Sequence, residues 1–142
     1  MEKITVQTIV KADPKTVWDA WNKPEHIKNW AFASKDWMCP AATNDLRVGG
    51  RFVTTMAAKD GSASFDFGGI YSVVETEKAI AYTIDDGRAV SLSFESTADG
   101  VRVIETFDPE NVHPADFQRA GWQAILDNFK TYAENLSVSV VR

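Results

Sequence analysis

The sequence predicts an α+β domain in which one curved antiparallel sheet of about six or seven strands wraps round a single long C-terminal helix, with two short helices after the first strand. Three observations lead there. Between residues 45 and 107 hydrophobicity alternates with a period of two, and three Asp-Gly pairs cut the stretch into hairpins. Near the start, Asp13-Pro14 and Pro24 each open a short run of helical period. After Pro114 a three- and four-residue apolar repeat runs on to Leu136.

Residues 3–10 alternate and read as the first strand. Asp13 is placed to cap the next helix through its carboxylate, and Pro14 at the first helical position gives up an amide that would have no partner. Val17, Trp18, Ala20 and Trp21 follow at helical spacing as far as Asn22. Pro24 begins a second turn of helix, with Glu25 at its positive end and Ile27 and Trp30 on its apolar side. The pairs Asp60-Gly61, Asp86-Gly87 and Asp99-Gly100, with a fourth break at Glu75-Thr76-Glu77-Lys78, bound strands near 50–58, 63–74, 78–84, 88–97 and 101–107. Sequential hairpins make a meander, and Gly68-Gly69 inside its longest strand is read as a bulge or sharp bend. The last helix is predicted to start with His113 as cap and Pro114 at its first position. Phe117, Gly121, Ile125, Phe129, Tyr132 or Ala133, and Leu136 form its apolar stripe. Roughly 23 residues at 1.5 Å rise give a rod of about 34 Å, long enough to cross a domain.

The 142 residues fit one domain over 1–142, with 44% hydrophobic and 25% charged side chains, ordinary values for a globular chain. A net charge of −5 argues against a nucleic-acid partner, whose phosphates call for basic side chains. Cys39 is the only cysteine, so no internal disulfide is expected and a reducing, cytoplasmic setting follows. The N-terminal segment from Met1 lacks a continuous apolar core, so no signal peptide is expected. No apolar run approaches the length of a membrane span. His26, His113 and Cys39 have no metal-ligand spacing, and the Gly49-Gly50 and Gly68-Gly69 pairs lack a phosphate-binding pattern. No metal or cofactor is therefore expected.

A strongly curved sheet does not follow a straight rod closely, and two short helices plug only one end. A gap lined by inward aromatics is the expected result, and at 11% of the chain aromatics are plentiful. The candidate ligand-binding residues are Trp30, Trp37, Phe52, Phe67, Tyr82, Glu105, Phe117, Gly121, Trp122 and Ile125; no residue stands out as catalytic. Trp18 and Trp21 are read as packing residues, while Trp30 and Trp37 flank a less regular segment where an aromatic is freer to line a mouth. Phe65, Phe67, Tyr71 and Val73 share one strand face with Gly69. Glu105 shares a face with Val101, Val103 and Phe107. Facing inward, its carboxyl would need a partner or would hold a proton at neutral pH, and could orient a ligand. Alternatively, sheet curl exposes it or an arginine such as Arg47 or Arg51 pairs it. Gly121 costs its helix about 1 kcal/mol relative to alanine, so either a close backbone or a ligand over that position is expected to offset it.

The order of elements resembles the helix-grip fold of the START/SRPBCC superfamily, and within it the homologues of the activator of the heat-shock chaperone ATPase. The matching segments are Ala12-Asp13-Pro14-Lys15-Thr16-Val17-Trp18-Asp19-Ala20-Trp21, Pro24-Glu25 through Trp30, and Val48-Gly49-Gly50-Arg51-Phe52. In the second half they are Phe65-Asp66-Phe67-Gly68-Gly69-Ile70-Tyr71, Glu105-Thr106-Phe107 and Gly121-Trp122-Gln123-Ala124-Ile125-Leu126-Asp127-Asn128-Phe129. The resemblance spans about residues 3–136. It implies binding of a small hydrophobic molecule or lipid between sheet and helix, by a monomer or weak homodimer. Other branches of the superfamily imply a cyclase, aromatase or hydrolase acting on polyketide-like substrates. The eukaryotic activators add an N-terminal chaperone-binding domain, which the few residues before the first strand do not accommodate, so a chaperone-associated role is the remaining alternative.

Overall fold

Three helices and seven strands make up residues 2–141, the part of the chain that the computed structural model describes; Met1 and Arg142 lie outside it. Strand β1 (Ile4–Val10) leads into helix α1 (Pro14–Asn22) and the single turn α2 (Pro24–Ile27). Strands β2 (Trp37–Asn44), β3 (Arg51–Ala58), β4 (Ser64–Glu75), β5 (Ala79–Ile84), β6 (Ala89–Thr97) and β7 (Gly100–Phe107) follow, and helix α3 (Ala115–Val141) ends the fold. All seven strands form one antiparallel sheet in the order β1-β7-β6-β5-β4-β3-β2. The meander therefore runs from β2 to β7, and β1 crosses over to close against β7, with Val6 opposite Glu105. The result is a curled half-barrel holding α3, a helix-grip arrangement.

Local chemistry accounts for the boundaries. The Asp13 carboxylate accepts the Thr16 amide at 2.9 Å and the Thr16 hydroxyl at 2.9 Å, which holds it below the usual carboxylate range. Gly61 and Gly87 take up φ of 80° and 93° in their hairpin turns, the left-handed backbone for which the Asp-Gly pairs are suited. The break at residues 75–78 turns through Glu77, at φ 63° without glycine.

Several expectations change. Residues 37–44 form an edge strand, which Pro40 conceals in the sequence; the register shift between Met38 and Ala41 accommodates the proline there. Gly68-Gly69 is not the bulge. A Cβ on Gly69 would lie 2.6 Å from the Thr83 carbonyl oxygen, so this glycine serves close approach of strands. The extra residue is Ser72, between the Tyr71–Tyr82 and Val73–Ala81 pairs. One inserted residue inverts the alternation beyond it: Val73 lies outside, 38% exposed, and Val74 packs against the core. Helix α3 starts one residue later than predicted, with the Pro114 carbonyl accepting the Gln118 amide, and His113 is not its cap. Its buried face is also rotated. Gln118, not Phe117, turns inward, and its side chain joins the Glu110 amide and the Glu110 and His113 carbonyls.

Deeper along α3, Leu126, Phe129 and Ala133 are fully buried. Phe129 meets Trp21 and Trp30 edge-on, with ring centroids 4.8 and 4.9 Å away, and Trp18 packs on Phe94 of β6. Trp30 donates its indole N–H to the Ala20 carbonyl at 2.8 Å, joining α1 to the turn after α2. The free edge of β1 is covered by α3: Gln123 and Lys130 donate to the Gln7 and Ile9 carbonyls, and Glu134 accepts the Lys11 amide.

Candidate functional site

Toward the N-terminal half of α3 the packing opens into a cavity of about 280 Å³. Its sheet wall consists of the inward side chains of four strands: Phe52 on β3, Phe67 and Tyr71 on β4, Ile80 and Tyr82 on β5, and Glu105 on β7. Trp122 and Ile125 of α3 form the facing wall, and Trp21, Asn22, Ile27 and Trp30 close the end occupied by the short helices. Thr54, Met56, Phe65 and Arg88 complete the periphery with Ala31 and Asn44.

The rings hold one another. Phe52 packs edge-on to Tyr82 at 4.7 Å, Phe67 edge-on to Trp122 at 5.9 Å, and Trp122 lies flat on Phe107 at 3.8 Å. These ring-to-ring contacts brace the walls of the hollow.

Polar groups enter this apolar surface at two places. At the helix end, Tyr71 donates its hydroxyl to Asn44 Oδ1 at 2.6 Å, and Asn44 Nδ2 donates to the Asn22 carbonyl at 2.7 Å. Asn22 Nδ2 in turn donates to the Trp18 carbonyl at 2.9 Å. That contact requires the nitrogen, since two oxygens would repel, and so it leaves Asn22 Oδ1 buried without a donor. Asn22 is only 6% exposed. Burial pushes the Tyr71 hydroxyl up to about 12.

On the β7 wall, Glu105 is 5% exposed and has no hydrogen-bond or ion-pair partner among the described residues. Regular alternation puts it there, between Val103 and Phe107, opposite Val6 and Leu92 of the flanking strands. Neither arginine considered for it is available: Arg47 binds Asp45 and Arg51 binds Asp85, both at the surface. Desolvation raises the Glu105 carboxyl to about 8, so it is neutral at pH 7. Tyr82 is raised well above its ordinary value by burial first and by Glu105 second. Arg88, the cation on the lining, donates to Asp86 at 2.8 Å and to the Asp108 carbonyl at 3.4 Å.

Seven of the ten residues singled out in the sequence line this cavity: Trp30, Phe52, Phe67, Tyr82, Glu105, Trp122 and Ile125. Three do not. Trp37 begins β2 and packs edge-on to Phe65 at 5.9 Å, beside the cavity rather than in it. Phe117 is 64% exposed and stacks on His113, because the inward position of that helical turn belongs to Gln118. A Cβ on Gly121 would meet nothing within 4 Å, so no close backbone explains that glycine, and it is not on the lining of this cavity. Sequence reasoning missed Asn22 and Asn44 as cavity residues. Asn22 stands one helical turn after Trp18 on the buried face, a polar residue where an apolar one was due; Asn44 carried no comparable signal. Trp21, read as packing alone, both packs and lines the void.

Residues 11–134 match the family model described as Activator of Hsp90 ATPase homolog 1-like protein. The solution structure of the AHSA1-like protein from Aeromonas hydrophila superposes with a TM-score of 0.90 at 47% identity, covering 95% of this chain and 94% of that one. A solution structure of a Cytophaga hutchinsonii protein is 55% identical, with a TM-score of 0.81 over 94% of this chain and 92% of its own. A crystal structure from Nitrosomonas europaea shares the fold at 20% identity, with a TM-score of 0.81 and 94% of each chain covered. Among curated proteins none matches the sequence. On the family match and these relatives, the chain belongs to the Activator of Hsp90 ATPase homolog 1-like family, within the START/SRPBCC type.

Proposed function

We propose that this protein binds a small, largely apolar molecule in the cavity between α3 and the curved sheet. One observation carries the reading: a space of about 280 Å³, walled by packed aromatic rings, that also contains the Glu105 carboxyl, which lacks a protein partner among the described residues. A void of this size lies near the lower end of small-molecule sites, and apolar walls with a few placed polar groups are their usual composition. Burial of ligand surface against the rings supplies affinity, and the polar groups fix orientation. The ligand-contacting set is Trp30, Phe52, Phe67, Tyr82, Glu105, Trp122 and Ile125, joined by Asn22. Among the described residues no helix is long and apolar enough to cross a membrane. Cys39 is buried, its thiol pushed up by desolvation and directed at the Ala41 carbonyl, which suits a reducing compartment.

Native mass spectrometry of freshly purified protein and a thermal-shift screen of hydrophobic compounds test the reading. A ligand present at about 100 times its Kd should add roughly 2.7 kcal/mol to stability. The Ile125→Phe variant, which extends a ring into the void, should abolish that shift. Stabilisation that persists in Ile125→Phe would place the ligand elsewhere and overturn the assignment.

A further inference from the structure

We propose that the cavity selects an uncharged carbonyl compound, whose oxygen accepts hydrogen bonds from the Tyr82 hydroxyl and the Glu105 carboxyl. The inference rests on the small-molecule reading above and deepens it to a chemical class. Among the described residues, neither the Tyr82 hydroxyl nor either Glu105 carboxyl oxygen has a hydrogen-bond partner. Unlike Asn22 Oδ1, which is sealed off, these three oxygens retain accessible surface. Their residues are only 7% and 5% exposed and both line the hollow, so that surface opens on it. The sheet puts the two groups on one wall. Tyr82 of β5 pairs with Val90, and Glu105 of β7 with Leu92, so they stand a diagonal step apart across β6. At about 4.8 Å per strand and 3.4 Å per residue their Cα atoms are about 12 Å apart, and the curl of the sheet turns both side chains toward the same space. Val90 and Leu92, which lie between them, are buried and apolar and offer neither a partner. Whatever satisfies the pair has to come from the hollow in front of it.

Both groups ask for an acceptor. A phenol is a donor throughout the neutral range. The Glu105 carboxyl has no cation to keep it ionised, because Arg88, the basic side chain on the lining, is bound by Asp86 and the Asp108 carbonyl. In apolar surroundings an unpaired carboxyl keeps its proton and becomes a second O–H donor, in line with the push of burial up to about 8. A carbonyl oxygen carries two lone pairs and no hydrogen, the complement of two such donors. An anionic ligand would find no free cation to pair with, and an ammonium would first have to strip Glu105 of its proton. A neutral carbonyl takes the wall as it stands. A hydrocarbon fills the space but leaves both donors unmet. Phe52, Phe67, Trp122 and Ile125 supply apolar contact for the body of the molecule.

Indanone and indane, which differ by one carbonyl, are suitable probes for isothermal calorimetry at pH 7, with aminoindane and indane carboxylate as charged counterparts of similar size. Indanone should bind the wild-type protein at least about tenfold tighter than either charged compound. Tyr82→Phe and Glu105→Leu each remove one O–H, and each should weaken indanone by roughly three- to tenfold while indane binds as well as before or better. Glu105→Gln keeps a donor and carries no charge, so it should hold indanone within about threefold of the wild type. The ranking of the four compounds on the wild-type protein decides the matter even if a variant fails to fold by circular dichroism. Three results overturn the carbonyl class while the cavity reading stands: preference for a charged compound, equal loss of indanone and indane in the variants, or binding of indane without indanone. A large gain of indanone affinity in Glu105→Gln would do the same, since it would reveal an ionised carboxylate repelling the carbonyl. If neither these probes nor the compounds of the thermal-shift screen bind, both readings fall.

Discussion

The two halves of α3 face the same sheet and are built differently. Leu126, Phe129 and Ala133 are fully buried, Phe129 edge-on to Trp21 and Trp30, whereas just before them Trp122 and Ile125 border a hollow. Adjacent residues mark the boundary: Leu126 is in solid core and Ile125 is on the void. The difference shows how a curved sheet and a straight rod share out their mismatch. The short helices fill it at one end, and what remains at the other is held open by rings that brace one another. Solid packing is therefore concentrated in the C-terminal half of the contact and open space in the N-terminal half.

Substitutions can break or sharpen that contrast. Phe129→Ala removes the ring against which both tryptophans pack, and urea denaturation should show a loss of about 3–5 kcal/mol. In the open half, Glu105 holds more protons in the folded chain than in the unfolded one between its ordinary value of 4.5 and about 8. Stability therefore falls as pH rises through that window. The Glu105→Gln variant should gain on the wild type by on the order of 3 kcal/mol between pH 4 and pH 7 in thermal or denaturant melts. Next come the neighbours at the boundary. Leu126→Phe overfills the solid half and should cost about 1–3 kcal/mol, whereas Ile125→Phe enters free space and should change stability by less than about 1 kcal/mol. Equal costs for that pair would erase the distinction between the halves. The smallest effect belongs to Gly121→Ala, which meets no atom and should stabilise the helix by about 1 kcal/mol, with ligand binding unchanged.

Much of the architecture was legible because it depends on local chemistry. Asp13-Pro14 and the Asp-Gly turns act through their own backbone and caps, so their roles follow from neighbours in sequence. Strand β2 was not legible, because pairing with β3 overrides the objection that Pro40 raises. The bulge at Ser72 has no signature of its own, and it moved Val73 off the face that alternation assigned to it. On α3 an error of one residue in helical phase separates exposed Phe117 from buried Gln118. Glu105 shows both sides of the matter. Alternation with Val101, Val103 and Phe107 brought its inward face within reach, but whether Arg47 or Arg51 reached it depended on Asp45 and Asp85, whose positions only the folded chain defines.

The crossover that seats β1 against β7 also has a temporal meaning. The first strand of this domain finds its only sheet partner among the described residues about a hundred residues later, and both its edge carbonyls and the Lys11 amide wait for α3 after that. Until nearly all of this domain has been made, this segment is an open strand beside an unfinished meander, and nascent chains are most exposed to mispairing during that interval.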